Sequence, residues 1–265
     1  MYDHTMKYTT ILLTYEGPTA MITLARPELH NAFDAVMIDE LRDCFTALAT
    51  DERARVVVLT GAGRSFCAGA DLNGMRASLE WSRDENIADA EMLASMFDAA
   101  WNLPKPLIGR INGAALGGGA GLVACCDLAI ATDTTRFGFS EVKLGLIPAV
   151  IAQYVVPKIG VSHARALFIS GERFTAERAF EIGLIHAVTD VEGLDATVET
   201  LVKSFLSSGP TAIGAAKKLI DAIWSLERSA AQRYAIEAIA DARVSPEGQE
   251  GIRAFLEKRR PTWSM

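Results

Sequence analysis

The sequence predicts an α/β domain followed by an all-helical region. Three observations carry that reading. Up to about residue 190, short apolar runs with strand character alternate with amphipathic helical stretches. Two of these runs end in turns made of glycine and other small residues. After about residue 193 strand patterns cease and helical periodicity takes over.

The elements follow in order. Thr10–Tyr15 and Thr19–Leu24 are β-rich, and Gly17-Pro18 between them predicts a hairpin turn. From Asp34 to Ala49, Met37, Leu41, Cys44, Phe45 and Leu48 recur on one helical face. A Val-rich strand is expected over Arg55–Thr60, ended by Gly61-Ala62-Gly63. Residues 84–101 predict an amphipathic helix closed by Asn102-Leu103-Pro104. Pro106–Asn112 is strand-like, and Gly113–Cys125 turns through glycines into a helix of small residues. Asp127–Thr132 and Arg136–Phe139 are the next strands, giving helices over a sheet of near-continuous apolar strands. Helices are expected near 194–207, 211–225, 229–242 and 246–257. Ser245-Pro246 is a start signal for the last of them, with Ser as cap and Pro in the first turn. Ser207-Ser208-Gly209-Pro210 is a break, and the division is set at 1–200 for the core and 201–265 for the helical region.

Composition bounds the function. Half of the 265 residues are hydrophobic and 22% are charged, as in an ordinary globular protein. No apolar run has the length of a membrane span, and the start, MYDHTMKYTT, lacks the apolar stretch of a secretory signal. The expectation is a cytoplasmic protein. With 26 Lys and Arg against 33 Asp and Glu the net charge is −7, which argues against nucleic-acid binding. Lys258-Arg259-Arg260 is a basic cluster on this acidic background. Cys44, Cys67, Cys125 and Cys126 form no CxxC, so neither a zinc site nor a disulfide framework is expected, only buried thiols. His4, His30, His163 and His186 show no metal-ligand spacing.

Three segments carry chemistry. The first is Ser65-Phe66-Cys67-Ala68-Gly69-Ala70-Asp71-Leu72. The second is Ile111-Asn112-Gly113-Ala114-Ala115-Leu116-Gly117-Gly118-Gly119-Ala120-Gly121. Both follow a strand, and small side chains let a ligand approach the backbone. The second leads into a helix whose first N–H groups lack intrahelical partners and carry partial positive charge. Such donors suit a thioester oxygen that becomes an enolate. Close packing of a small-residue helix on the sheet accounts for the glycines equally well. GxGxxG, GxxxxGK and GxSxG are all missing. In the third segment, Phe137-Gly138-Phe139-Ser140-Glu141-Val142-Lys143-Leu144-Gly145-Leu146-Ile147-Pro148, Glu141 sits among apolar residues. Burial there raises a carboxyl pKa toward the range useful for proton transfer. The alternative is a surface glutamate paired with Lys143.

Together, in this order and spacing, the segments resemble the enoyl-CoA hydratase/isomerase (crotonase) family. Further matches are Ala25-Arg26-Pro27 with Asn31-Ala32, Gly171-Glu172-Arg173-Phe174-Thr175-Ala176 with Ala179 and Gly183-Leu184, and Phe255-Leu256-Glu257-Lys258-Arg259. The resemblance runs from about residue 10 to residue 260 and is more specific for the family than for the reaction. It implies a spiral of ββα units with a C-terminal helical trimerisation region, as a homotrimer or a dimer of trimers. The substrate would be an acyl-CoA thioester, with no separate cofactor and no metal. Backbone N–H groups of Ala70 and Gly118 would form an oxyanion hole, with Glu141 as acid and base. Ala68, Ala70, Asp71, Leu72 and Asn73 would line the CoA and thioester path. Arg26 would lie near the adenine, by backbone as much as by charge, and Phe255 and Lys258 would approach the nucleotide from this or a neighbouring subunit.

One departure stands out. Two-glutamate hydratases place a first glutamate where this chain has Gly121. Either Glu141 serves both steps, or another acid such as Asp71, Glu80 or Glu91 reaches in. The preferred expectation is a hydratase of 2-enoyl-CoAs, branched and methylglutaconyl-like in look. The alternative is a Δ3-Δ2-enoyl-CoA isomerase with Glu141 as its single proton shuttle. RNA binding and a non-catalytic scaffold rank below both. Met75, Trp81, Met96 and Phe97 are candidates for the acyl pocket or for the core.

Overall fold

A computed structural model describes residues 8–264; His4 lies outside them. β1 (Ile11–Glu16) and β2 (Thr19–Leu24) form an antiparallel hairpin with Ile11 opposite Leu24. Gly17 turns it at φ 55°, a left-handed conformation that suits glycine. α1 (Ala35–Thr50) starts because the Asp34 side chain accepts the Met37 amide. Its predicted stripe of Met37, Leu41, Cys44, Phe45 and Leu48 is buried. Each large side chain buried this way contributes about 1.5–3 kcal/mol relative to solvent exposure.

The chain then repeats a pattern. β3 (Val56–Gly61) leads to β4 (Ser65–Cys67), then α2 (Leu72–Ala77) and α3 (Arg83–Trp101). β5 (Leu107–Ile111) leads to β6 (Ala114–Leu116) and α4 (Gly118–Cys125). β7 (Leu128–Thr132) leads to β8 (Arg136–Gly138) and α5 (Ala149–Ser170), which kinks at Gly160. β9 (Arg173–Thr175), α6 (Ala176–Glu181) and β10 (Ala187–Thr189) complete the core. In the units of β3/β4, β5/β6 and β7/β8 the first strand joins a large sheet and the second a small one; β9 and β10 do so in the reverse order. The large sheet has the order β1-β2-β3-β5-β7-β10, parallel from β2 onward. The small sheet has the order β4-β6-β8-β9. This is the expected spiral of ββα units.

β3 shows how the layers are built. Val57 and Leu59 face the main core with Met37, Phe45 and Phe97. Val56 and Val58 face the other way, onto Leu194 and Val198 of α7 (Leu194–Leu206). α7 therefore belongs to the sheet, and the expected division between 200 and 201 falls inside it. The chain breaks at Ser207–Gly209, where α8 (Pro210–Ser225) begins. α9 (Arg228–Val244) and α10 (Pro246–Leu256) follow, with Ser245 capping α10 through the Gly248 amide. α8, α9 and α10 pack on one another and leave Ile220, Ile223, Trp224, Ile236, Phe255 and Leu256 exposed.

Not anticipated were the small sheet as a separate layer, α2, the 22-residue α5, and α6 with β10. The strands of the small sheet have only three residues each, too few for a period to show. Among the described residues no helix is long and apolar enough to cross a membrane. The four cysteines are free and buried.

Candidate functional site

The first two segments meet through their backbones. Phe33 N–H donates to Gly69 O at 2.7 Å and Asp71 N–H donates to Phe33 O at 2.8 Å. This parallel bridge pairs Phe33 with Ala70 and leaves the Ala70 N–H pointing away from it. Ala68 N–H donates to His30 O at 3.0 Å. Residues 30–33 thus form a backrest for residues 68–71.

The second segment closes against the first. Gly69 has φ 91°, and a Cβ there would lie 2.8 Å from Leu116 O and 3.6 Å from Gly118 N. A Cβ on Gly119 would collide with Cys67 O, and one on Gly118 would come within 2.8 Å of Phe33 Cε2. The glycines are required by this closeness, so the packing explanation is correct and brings two backbones together. Gly118 is the first residue of α4, so its N–H has no acceptor within the helix. Ala70 is exposed and Gly118 partly exposed, while Gly119 and Gly121 are buried. Neither the Ala70 nor the Gly118 N–H has a hydrogen-bond acceptor among the described residues, and both residues reach the surface.

Glu141 completes the constellation. Gly117 turns at φ 51° and donates its N–H to Gly138 O at 2.8 Å, just upstream of the glutamate. A Cβ on Gly117 would lie 3.3 Å from Glu141 Oε1. Glu141 Oε2 is shielded from solvent and has no hydrogen-bond partner among the described residues. Burial pushes the carboxyl pKa up, with only a backbone hydrogen bond opposing. Lys143 is exposed and makes no ion pair with Glu141, so the surface-pair alternative does not hold.

Other expectations are revised. Asp71 is no free base: Oδ1 caps α2 by accepting the Asn73 amide at 2.7 Å, and Oδ2 accepts from Arg26 at 3.0 Å. Burial would raise its pKa, but these hydrogen bonds and the Arg26 charge outweigh that and hold it low. Arg26 is likewise committed, to Asp71, Asp34 and the Ala32 carbonyl, so its charge is neutralised internally. Glu80 and Glu91 are exposed on α3 and the turn before it, with no hydrogen bond to the segments above. Leu72 and Asn73 are exposed at the start of α2, directly beside Ala70.

Gly121 lies on the inner side of α4. A Cβ there would collide with Ile151 Cγ2 and lie 3.1 Å from Phe97 Cε1. A side chain at this position therefore has no room. Met96 and Phe97 are fully buried and belong to the core, whereas Met75 and Trp81 are partly exposed. Phe255 is 83% exposed on α10, which packs on α8 and α9. Arg259 is paired with Glu250 and Glu257, whereas neither Lys258 nor Arg260 has an ion pair among the described residues. Sequence reasoning missed Phe33 and Ile151, which act through neighbours distant in the chain, and the ion pair of Asp34 with Arg26; the capping role of Asp34 at the start of α1 is a local signal.

Comparison with known proteins places the chain in a family. Residues 15–265 match the family model described as enoyl-CoA hydratase/isomerase. The chain is 31% identical to the crotonyl-CoA hydratase of Syntrophomonas wolfei over 257 residues, covering 96% of this chain and 98% of that one. It is 33% identical to the 2,3-dehydroadipyl-CoA hydratase of Escherichia coli, covering 95% and 97%. The crystal structure of an enoyl-CoA hydratase from Shewanella pealeana superposes with a TM-score of 0.93 at 39% identity, covering 97% of both chains.

Proposed function

The chain belongs to the enoyl-CoA hydratase/isomerase family, and we propose that it is a hydratase adding water across the double bond of 2-enoyl-CoA thioesters. The observation that carries this reading is the unpaired, shielded Oε2 of Glu141, together with Ala70 and Gly118 amides that have no acceptor among the described residues. In this reading the thioester oxygen accepts from Ala70 N–H and Gly118 N–H. Glu141 takes a proton from water as the hydroxyl attacks C3. The resulting enolate is held by the two amides, and the same carboxyl returns the proton to C2. The enolate charge is discharged and Glu141 ends as the carboxylate it began as, and the reaction needs no cofactor beyond the CoA carried by the substrate. The hydratase names of the relatives from Syntrophomonas wolfei and Escherichia coli favour the same reaction.

Substrate placement follows from the same reading. Ala68, Leu72 and Asn73 flank the thioester path, with exposed Leu144, Leu146 and Ile147 just beyond Glu141. Branched, methylglutaconyl-like acyl groups are the proposed class. Lys258 and Phe255 are proposed to meet the nucleotide from a neighbouring subunit of a homotrimer or dimer of trimers. The exposed apolar residues of α8, α9 and α10 support that assembly. Four buried free thiols fit a reducing, cytoplasmic setting.

One observation favours a second reading. Gly121 and the engaged Asp71 leave Glu141 as the sole uncommitted acid–base group at the two segments among the described residues. A single shuttle suffices for moving a double bond from position 3 to position 2. Incubation with 2-enoyl-CoA and 3-enoyl-CoA panels and product mass analysis separates the two. Gain of one water is expected from 2-enoyl-CoAs. Conversion of 3-enoyl-CoA at constant mass, with no hydration of any 2-enoyl-CoA, would establish the isomerase instead.

A further inference from the structure

Arg26 lies 45 residues from Asp71 in the sequence, yet its guanidinium reaches two helix starts at once. The N-cap of α1 is Asp34, which gives Oδ1 to the Met37 amide at 2.8 Å and Oδ2 to Arg26 Nη1 at 3.1 Å. The N-cap of α2 is Asp71, which gives Oδ1 to the Asn73 amide at 2.7 Å and Oδ2 to Arg26 Nη2 at 3.0 Å. Each carboxylate thus uses one oxygen for its helix and the other for the same arginine. Nη1 also donates to Ala32 O at 2.7 Å.

We propose that Arg26 is a positioning residue that locks the direction of the Ala70 N–H by tying together the starts of α1 and α2. The inference rests on the reading of that N–H as an oxyanion donor.

The backbone explains why such a tie is needed. Ala70 stands immediately before Asp71, and its direction is set by the bridge to Phe33, which stands immediately before Asp34. The ion pairs therefore clamp the residues that follow both halves of that bridge. A single isolated bridge has no neighbouring ladder to hold its register. The turn behind it is also unusual: His30 and Asn31 have φ 53° and 56°, left-handed values uncommon for side-chain-bearing residues. Asn31 secures this turn by accepting the Arg26 amide at 3.0 Å and donating to Ser65 O at 2.9 Å and Phe66 O at 3.1 Å. Backbone and side chain of Arg26 thus both serve the segment ending in Ala70.

Charge argues against a direct role of this guanidinium in binding phosphate. Arg26 is 14% exposed and faces two carboxylates, one of them, Asp71, only 4% exposed. An approaching phosphate would meet a locally negative environment. A bidentate fork is what spans two carboxylates, and lysine, a point charge, cannot reproduce it.

The test uses a CoA thioester of a donor-substituted cinnamic acid. Its absorption moves to the red when hydrogen bonds polarise the carbonyl, whether the enzyme is a hydratase or an isomerase. The wild-type protein is expected to shift it, and an unshifted spectrum overturns the oxyanion reading itself. Arg26→Met is expected to abolish most of the shift and lower kcat about 10- to 100-fold, with thioester affinity and KM within about twofold. Arg26→Lys and Asp71→Asn, which keep a cation or a cap, are expected to lose the shift partly and serve if the Met variant does not fold. A full shift in these variants, or a raised KM at unchanged kcat, overturns the role of Arg26 while leaving the function intact.

Discussion

Ile151 occupies the space into which any side chain at Gly121 would grow. The pair is complementary: a bulky residue at the start of α5 requires a bare backbone on the inner side of α4. Gly121→Ala is therefore expected to destabilise by about 1–3 kcal/mol, and Gly121→Glu by more, because a carboxylate would be forced into an apolar wall. Adding Ile151→Gly is expected to recover only part of the stability lost in Gly121→Glu, since it relieves the clash but leaves the carboxylate buried against Phe97. Thermal unfolding of the single and double variants checks this. A Gly121→Glu protein as stable as wild type would show that the wall yields.

Glu141→Gln keeps the shape of the side chain and removes its basicity. Turnover is expected to fall by about 10²–10⁴, with substrate binding little changed. Steady-state kinetics with the substrate found in the product screen measures it. Turnover within a few-fold of wild type would remove Glu141 from the proton-transfer role.

The same residue makes a stability prediction of definite sign. Folding raises the Glu141 pKa by burial. Below the ordinary glutamate pKa the group is protonated in both states and costs nothing. As pH rises through the window between the unfolded and the folded pKa, the unfolded state ionises first and stability is lost. Glu141→Gln is then expected to be more stable than wild type at neutral pH, with the advantage vanishing in acid. Denaturant midpoints of both proteins from acid to neutral pH test it; an advantage independent of pH would refute ionisation as its source.

Helices α8, α9 and α10 leave Ile223, Trp224, Ile236 and Phe255 between 50% and 83% exposed, apolar surface that the proposed assembly would cover. Light scattering at micromolar concentration is expected to report a trimer or hexamer. A monomer under those conditions contradicts the proposed assembly.

Lys258 sits at φ 54° beyond the end of α10, next to the paired Arg259. Lys258→Ala is expected to raise KM for the CoA thioester more than it lowers kcat, with the difference shrinking at high salt as the phosphate attraction is screened. Arg259 cannot substitute, because Glu250 and Glu257 already hold it. An unchanged KM at low salt assigns Lys258 to the solvent.

The sequence by itself determined the elements with strong local signals. The α1 stripe, the Val-rich β3, the Ser245 cap and all four C-terminal helices lie within a few residues of their expected bounds, because periodicity and capping are properties of neighbouring residues. The three chemistry-bearing segments were legible as well, since glycine and an acid among apolar residues are rare enough to notice. Tertiary structure alone decided what those segments do to one another. It closed Gly69 onto Gly118, placed Glu141 beside Gly117, gave Asp71 to Arg26 and filled the space at Gly121 with Ile151. These relations join residues 24 to 49 positions apart in the chain. Their reason is close packing: which side chain fills a given volume is settled by the strands and helices that meet there, and no local pattern encodes it.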